Sequence, residues 1–143
     1  MALTLSALRQ RLAVVLEAVA GVTESRYPFE LFGRDFDQVT HKGFALGITS
    51  TDLHEGDRRQ RVSEGAYIES LVECAWAYRL RGDDQRGSYD AALDHEQALI
   101  QALLAATRAD LHIRVTGMTR RTVPEGWVLG VTRYAAITRY ALQ

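Results

Sequence analysis

The 143-residue chain lacks several features that would place it in a class at once. Its only cysteine is Cys74, so no disulfide can form within the chain, and we expect a reducing cytoplasm as its compartment. No apolar run approaches the roughly 18 residues of a membrane-spanning helix, and Arg9 and Arg11 interrupt the N-terminal apolar stretch. The sequence therefore predicts neither a membrane span nor a secretory leader.

Signatures of catalysis are also missing. Neither a Gly-x-Ser-x-Gly elbow nor a Gly-rich phosphate loop is present, and one cysteine cannot build a thiolate zinc site. Residues 94–96 (Asp-His-Glu) diverge by about 100° each on a helix, so they cannot converge on one ion. We therefore predict neither enzymatic activity nor a cofactor. A small metal-dependent hydrolase stays open as a weaker alternative, using carboxylates with one of three histidines: His41, His54 or His112.

Composition indicates one ordinary globular domain, residues 1–143. Apolar residues make up 47% and charged residues 24%, and the formal net charge is −1. Such a chain has no electrostatic attraction to nucleic acid or to an anionic membrane, and we expect it to bind neither. Lys42 is the only lysine among the 17 basic residues. A GC-rich coding genome explains that bias most simply, and use of arginine at protein interfaces is the functional explanation.

The first half of the chain predicts a helix, strands and a loop. Segment 27–32 (YPFELF) is interpreted as a short strand or as irregular chain that packs its aromatics, and 43–50 (GFALGITS) as a strand. Residues 51–65 are almost free of apolar side chains, which indicates a long exposed loop. Thr4 can cap a helix that ends at Gly21, with apolar residues three or four positions apart: Leu5, Leu8, Leu12, Val15, Leu16 and Val19.

A long strand over 66–80 shows the clearest pattern, because its residues alternate between an apolar face and a mixed one. Ser88 is then predicted to cap a second helix. The Arg-Gly-Asp tripeptide at 81–83 lies where the period of two becomes helical, so we interpret it as a turn and not as a receptor ligand. The helix has a predicted inward stripe of Tyr89, Ala92, Leu93, Glu96, Leu99, Ile100 and Leu103.

The last third predicts an antiparallel hairpin. Segments 111–115 and 127–131 alternate apolar residues on either side of a turn at 123–126 (VPEG), and 134–142 is a further stretch of strand with a possible bend at Ala135–Ala136. The predicted fold class is α+β: a mixed, mostly antiparallel sheet with two helices packed on one face.

Two groups of residues are candidates for an interaction site. Both arginine clusters have a plain explanation as solvated segments, and a functional one as contacts with an acidic rim on another protein. Trp127 shares the hairpin with the second cluster, although burial in the core is its simpler explanation. The candidate interface residues are Arg58, Arg59 and Arg61 in the polar loop, and Arg120, Arg121 and Trp127 in the hairpin.

Three segments carry a family resemblance: the long strand ending in YRLRGD (78–83), the helix YDAALDHEQALIQAL (89–103) and the final strand ending in RYAL (139–142). Their order resembles that of the tail terminator, or tail completion, proteins of long-tailed bacteriophages and related prophage elements. The resemblance implies a structural virion protein, found at the junction of tail and neck and assembled in the cytoplasm of the bacterial host.

The partners that the resemblance implies are further copies of the chain, the tail tube protein and a head–neck connector protein. A homohexameric ring would cap the tail tube, stop its polymerisation and offer an attachment surface to the neck. Another phage connector, such as a neck or head-closure protein or the tube subunit, is the alternative within the same class.

Overall fold

The computed structural model describes residues 4–26, 39–53, 67–108 and 110–139. Helix α1 (Leu5–Glu17) begins where Oγ1 of Thr4 accepts a hydrogen bond of 3.1 Å from the amide of Ala7. The helix ends before Gly21, which lies after the C-cap and adopts a φ of 78°. The predicted cap and apolar stripe of this helix are confirmed.

Within the described residues, five strands form one sheet in the order β1-β2-β3-β5-β4. Their bounds are β1 Thr23–Glu24, β2 Gly43–Leu53, β3 Tyr67–Arg79, β4 Leu111–Val123 and β5 Trp127–Arg139. β1 pairs with β2 in parallel, and each other neighbouring pair is antiparallel. The sheet is therefore mixed and mostly antiparallel, and the predicted α+β class is confirmed.

Both helices pack on one face of this sheet, which we call the helix face. Helix α2 (Gln85–Leu104) lies beside α1, and the two helices share one core with alternate residues of the central strands. Removing this apolar surface from water is the main favourable contribution to folding. Its largest fully buried members are Trp76, Tyr134, Phe44, Leu8, Leu12, Leu16, Leu99, Leu103 and Leu111.

The turn before α2 confirms one prediction and corrects another. The tripeptide 81–83 does connect β3 to α2. The cap of α2, however, is Asp84 and not Ser88, because the Asp84 carboxylate accepts a 3.0 Å hydrogen bond from the amide of Gly87. Ser88 is a buried residue of the first helical turn, and its hydroxyl donates to the carbonyl of Asp84 at 2.7 Å. The helix therefore starts one turn earlier than predicted.

Two strands are longer than their sequence patterns indicate. β2 continues to Leu53, so residues 51–53 belong to the sheet and not to the predicted loop; Thr51 and Ser70 share a 3.1 Å hydrogen bond between hydroxyls. β5 runs without a break from Trp127 to Arg139, and the predicted bend at 135–136 is wrong. In this hairpin the register shifts instead in β4, at a bulge between Val115 and Gly117. The predicted strand at 27–32 and the rest of the polar loop lie outside the described residues.

Candidate interaction surface

The hairpin of β4 and β5 extends beyond the bulge in β4. From Thr116 to Thr122, alternate residues of β4 point to opposite faces of the sheet, and all but the half-buried Gly117 are exposed. An edge strand that is accessible on both faces can contact another molecule. Arg120 and Arg121, predicted together as one candidate group, lie in this segment and therefore face opposite ways.

Arg120 points to the helix face and binds Glu96 of α2. Its guanidinium donates to Glu96 Oε1 at 2.6 Å from Nη2 and at 3.2 Å from Nε. The Glu96 side chain is only 4% exposed, whereas that of Arg120 is 33% exposed. The hydrogen bond raises the pKa of Arg120, and burial of a charged group is unfavourable unless an opposite charge pairs with it. The ion pair of Arg120 with Glu96 therefore links the hairpin to α2.

Arg121 points to the opposite side of the sheet, which we call the open face. The strand register places it beside Leu129, and Thr119 beside Val131. These residues and Ala75 line a concavity of about 220 Å³, which we call the trough. Its floor is apolar, and Arg121 places a cation at its margin.

Trp127 also lies on the open face, and it is 5% exposed. It belongs to a small apolar cluster with Ala77 and Val123, separate from the core under the helices. The guanidinium of Arg79 lies 5.7 Å from the centre of its ring, a distance typical of a cation–π contact. Trp127 is thus buried as expected, although it lies in this second cluster and not in the core under the helices.

Most described arginines have partners within the chain. Arg9, Arg11, Arg114 and Arg133 have carboxylate oxygens within 4.0 Å: those of Glu24, Asp110, Glu69 and Glu73, respectively. By contrast, Arg121 and Arg86 make no hydrogen bond, ion pair or ring contact within the described part of the chain. The candidates Arg58, Arg59 and Arg61 lie outside the described residues. Arg121 is thus the candidate arginine whose charge the described fold leaves uncompensated.

Beside Glu96, in the middle of α2, His95 belongs to a group of aromatic rings with Tyr78 and His41. His41 and Tyr78 have ring centres 4.5 Å apart, and Tyr78 and His95 have ring centres 5.5 Å apart. Burial, with help from Lys42 and His41, lowers the pKa of His95 to about 4. The Nε2 atom of His95 has no hydrogen-bond partner, although the residue is 7% exposed. Burial and the charges of Lys42 and Arg79 likewise lower the pKa of His41.

The described residues contain no group of three or more histidine, cysteine, aspartate or glutamate side chains placed to hold a metal ion. His112 is exposed on β4, and His54 lies outside the described residues. Burial raises the pKa of Cys74 to about 12, so its thiol is un-ionised at neutral pH. None of the helices within the described ranges is long and apolar enough to cross a membrane.

Sequence reasoning missed the ion pair between Glu96 and Arg120. The sequence did contain a signal, because Glu96 falls in the predicted inward stripe of α2, and a charge on a buried face requires a partner. Nothing in the sequence indicated which arginine, 24 positions along the chain, would supply it.

Comparison with known proteins adds little to this geometry. No family model matches the chain, and no curated protein matches it. One solved structure, described as a form without its transmembrane region from Akkermansia muciniphila, aligns with 100% of this chain and 90% of its own. The two are 8% identical with a TM-score of 0.42, too distant to support an argument about fold or function.

Proposed function

We propose that the chain is a non-enzymatic structural subunit of a bacteriophage tail. As a tail terminator it assembles into a homohexameric ring, docks on the end of the tail tube and stops further polymerisation. The same ring presents a surface to the head–neck connector. It works through shape and surface contacts and transforms no small molecule.

One observation carries this proposal: the sheet ends in two edges of different character. The β4 edge is 13 residues long and, beyond its bulge, accessible on both faces. At the other end of the described sheet, the short strand β1 pairs with β2 at Gly43 and Phe44. A subunit with different surfaces at its two ends suits head-to-tail contacts, and such contacts close into a ring when the rotation per subunit allows it.

Termination then follows from surface coverage. A ring bound to the last layer of the tube occupies the surface that the next tube subunit would use, so growth ends there. The trough, with its cationic margin and apolar floor, suits a contact between neighbouring subunits of the ring, which leaves the two ends of the ring to other proteins. The tail tube protein and the head–neck connector contact the two ends of the ring.

The test is deletion of the gene from a phage or prophage that encodes it. We expect tubes of abnormal length that fail to join heads, and we expect expression of the wild-type chain in trans to restore infectious particles. Finished virions of normal length and normal titre from the deletion strain would end the proposal.

A second measurement addresses the capping step directly. Purified chain added to polymerising tube protein should shorten the tubes in proportion to its concentration, and electron micrographs should show a ring at one end. Tubes of unchanged length, with no density at either end, would contradict a terminator role.

A further inference from the structure

We propose that, in the ring, the outer face of α1 of one protomer docks into the trough of the next. This inference rests on the proposed function, because it names the contact by which the ring closes. The occupant of the trough is thus a second copy of this chain. The contact places Val14 on the apolar floor of the trough and Glu17 beside Arg121.

The trough supplies one half of the contact. The packed helices both cover the opposite side of the sheet, yet Leu129, Val131 and Ala75 line the open face here. Apolar sheet residues are stabilised when another element covers them. Arg121 adds an exposed guanidinium without a partner in the described fold. The surface therefore fits an apolar side chain with a carboxylate close to it.

Helix α1 supplies the other half. Val14 is 69% exposed, more than any other large apolar side chain in the described residues. Glu17 lies three positions further on, hence one turn along the same surface of the helix, and it too is exposed with no ion pair among the described residues. The outer face of α1 thus presents an apolar group and a carboxylate as neighbours.

Other described acids fit the trough less well. Asp90 and Asp94 lie on the exposed face of α2, where no exposed large apolar residue adjoins them. Leu104, 38% exposed, is ten positions beyond Asp94, which is about 15 Å along a helix. Only α1 combines both chemistries within one turn in the part of the chain that is described.

The positions of the two surfaces make the contact directional. The trough lies on the open face, over β4 and β5, whereas α1 lies on the helix face and contacts β2. Two protomers therefore cannot make the contact in both directions at once. Each added protomer leaves one trough and one α1 free, which is the condition for growth into a ring or a filament.

Cross-linking tests this directionality. The variant carries Val14→Cys and Thr119→Cys, two exposed positions on opposite sides of the sheet, so that no link can form within one protomer. Cys74 is buried and stays unreactive. Treatment with a short bismaleimide should give a ladder of linked oligomers that stops at the ring size. Only unlinked monomers, or a product that stops at the dimer, would overturn the inference.

Charge reversal tests the pairing of Glu17 with Arg121. Glu17→Arg and Arg121→Glu should each weaken self-association by at least about tenfold in sedimentation velocity, since like charges then meet across the contact. The double variant should recover most of the wild-type association. Asp94→Arg and Arg86→Glu are the controls, because they make the same changes in charge at other exposed positions and should leave association unchanged.

The outcomes separate this inference from the proposed function. If the single reversals associate like wild type while the wild-type chain still caps tubes, the contact is wrong and the function stands. Association that fails equally in the reversals and in the controls would show a general effect of charge, and would also reject the contact. If the wild-type chain forms this contact but never alters tube length, the inference about the contact stands and the proposed function is wrong.

Discussion

At the scale of single residues, Glu96 and His95 show how much an internal polar group depends on its neighbours. They are adjacent on α2, and both are more than nine-tenths buried. Glu96 is stabilised by the guanidinium of Arg120. His95 has ring contacts with Trp76 and Tyr78 but no hydrogen bond to Nε2, and it is therefore held in the neutral form. The two environments therefore lead to different predictions about the stability of the fold.

Removing Arg120 should destabilise the fold, because it leaves the Glu96 carboxylate buried without a counter-ion. For Arg120→Ala we expect a loss of about 2 kcal/mol in the free energy of unfolding, less than for a fully buried pair since water can reach the partly exposed guanidinium site. Urea denaturation measures it. Arg86→Ala is the control, because Arg86 is an exposed arginine without a partner in the described part of the chain, and it should change stability by less than about 0.5 kcal/mol. Equal effects of the two substitutions would contradict this account of Arg120.

His95 should make stability fall as the solution becomes acidic. Its pKa is about 4 in the folded chain against 6.5 ordinarily, so the unfolded state binds a proton first as the pH drops. The contribution is fully present above pH 6.5 and is lost between pH 6.5 and about 4, up to about 3 kcal/mol. His41, which contacts Tyr78 and has a lowered pKa, acts in the same direction.

A variant isolates the contribution of His95. Unfolding free energies measured at intervals from pH 7 to 4.5 should decline less steeply in His95→Phe, which keeps a ring against Trp76 and Tyr78 but cannot be protonated. The control variant His112→Phe, at an exposed residue of β4, should show the same decline of unfolding free energy with pH as the wild type. Parallel curves for the wild type and His95→Phe would show that other groups cause the decline.

At the scale of elements, the sequence predicted what period and capping chemistry determine locally. The long strand, the helix after it and the final hairpin follow from alternation or from three-to-four spacing, and the structure contains each of them. Errors arose where two local signals competed. Both Asp84 and Ser88 can cap a helix, and only the fold shows Ser88 buried in the first turn.

Sheet faces could be predicted in the same way, but their burial could not. Period two puts Arg120 and Arg121 on opposite faces and groups Arg121 with Trp127. Which face lies under the helices depends on long-range packing of α2 against β4 and β5. The trough and the pair of Glu96 with Arg120 depend on the same packing, so neither could be derived from local pattern.

The cap of α2 yields a prediction at this scale. Asp84→Ala removes the carboxylate that accepts a hydrogen bond from Gly87, so we expect a loss of about 1 kcal/mol in the free energy of unfolding. Asp83→Ala is the control, because Asp83 is exposed and binds only the exposed Arg81. Chemical denaturation measures the free energy of unfolding of both variants. An equal loss for Asp83→Ala and Asp84→Ala would show that the stability of α2 does not depend on this cap.

At the scale of the whole molecule, the two faces of the sheet differ in a way that favours assembly. The helix face is covered by α1 and α2, whereas the open face has a smaller apolar cluster, cross-strand pairs of arginine with glutamate, and the trough. Partly exposed ion pairs of this kind add little stability in water, and they limit non-specific sticking of the sheet. A directional contact at the trough therefore suits a chain that binds copies of itself in one register.

The proposed self-association of the folded chain would link its thermal stability to protein concentration. A ring binds folded protomers and not unfolded chains, so the unfolding temperature should rise with concentration. At a hundredfold excess over the dissociation constant, the gain of about 2.7 kcal/mol corresponds to roughly 10 °C for a domain of this size. Differential scanning fluorimetry across a hundredfold range of concentration measures the shift.

Arg121→Glu provides the contrast for this measurement. Its unfolding temperature should match that of the dilute wild type and stay constant across the range, because the substitution disrupts the contact while leaving an exposed position of the fold otherwise unchanged. Arg86→Glu should follow the wild type. A wild-type unfolding temperature that does not move over the full range would contradict self-association through this contact.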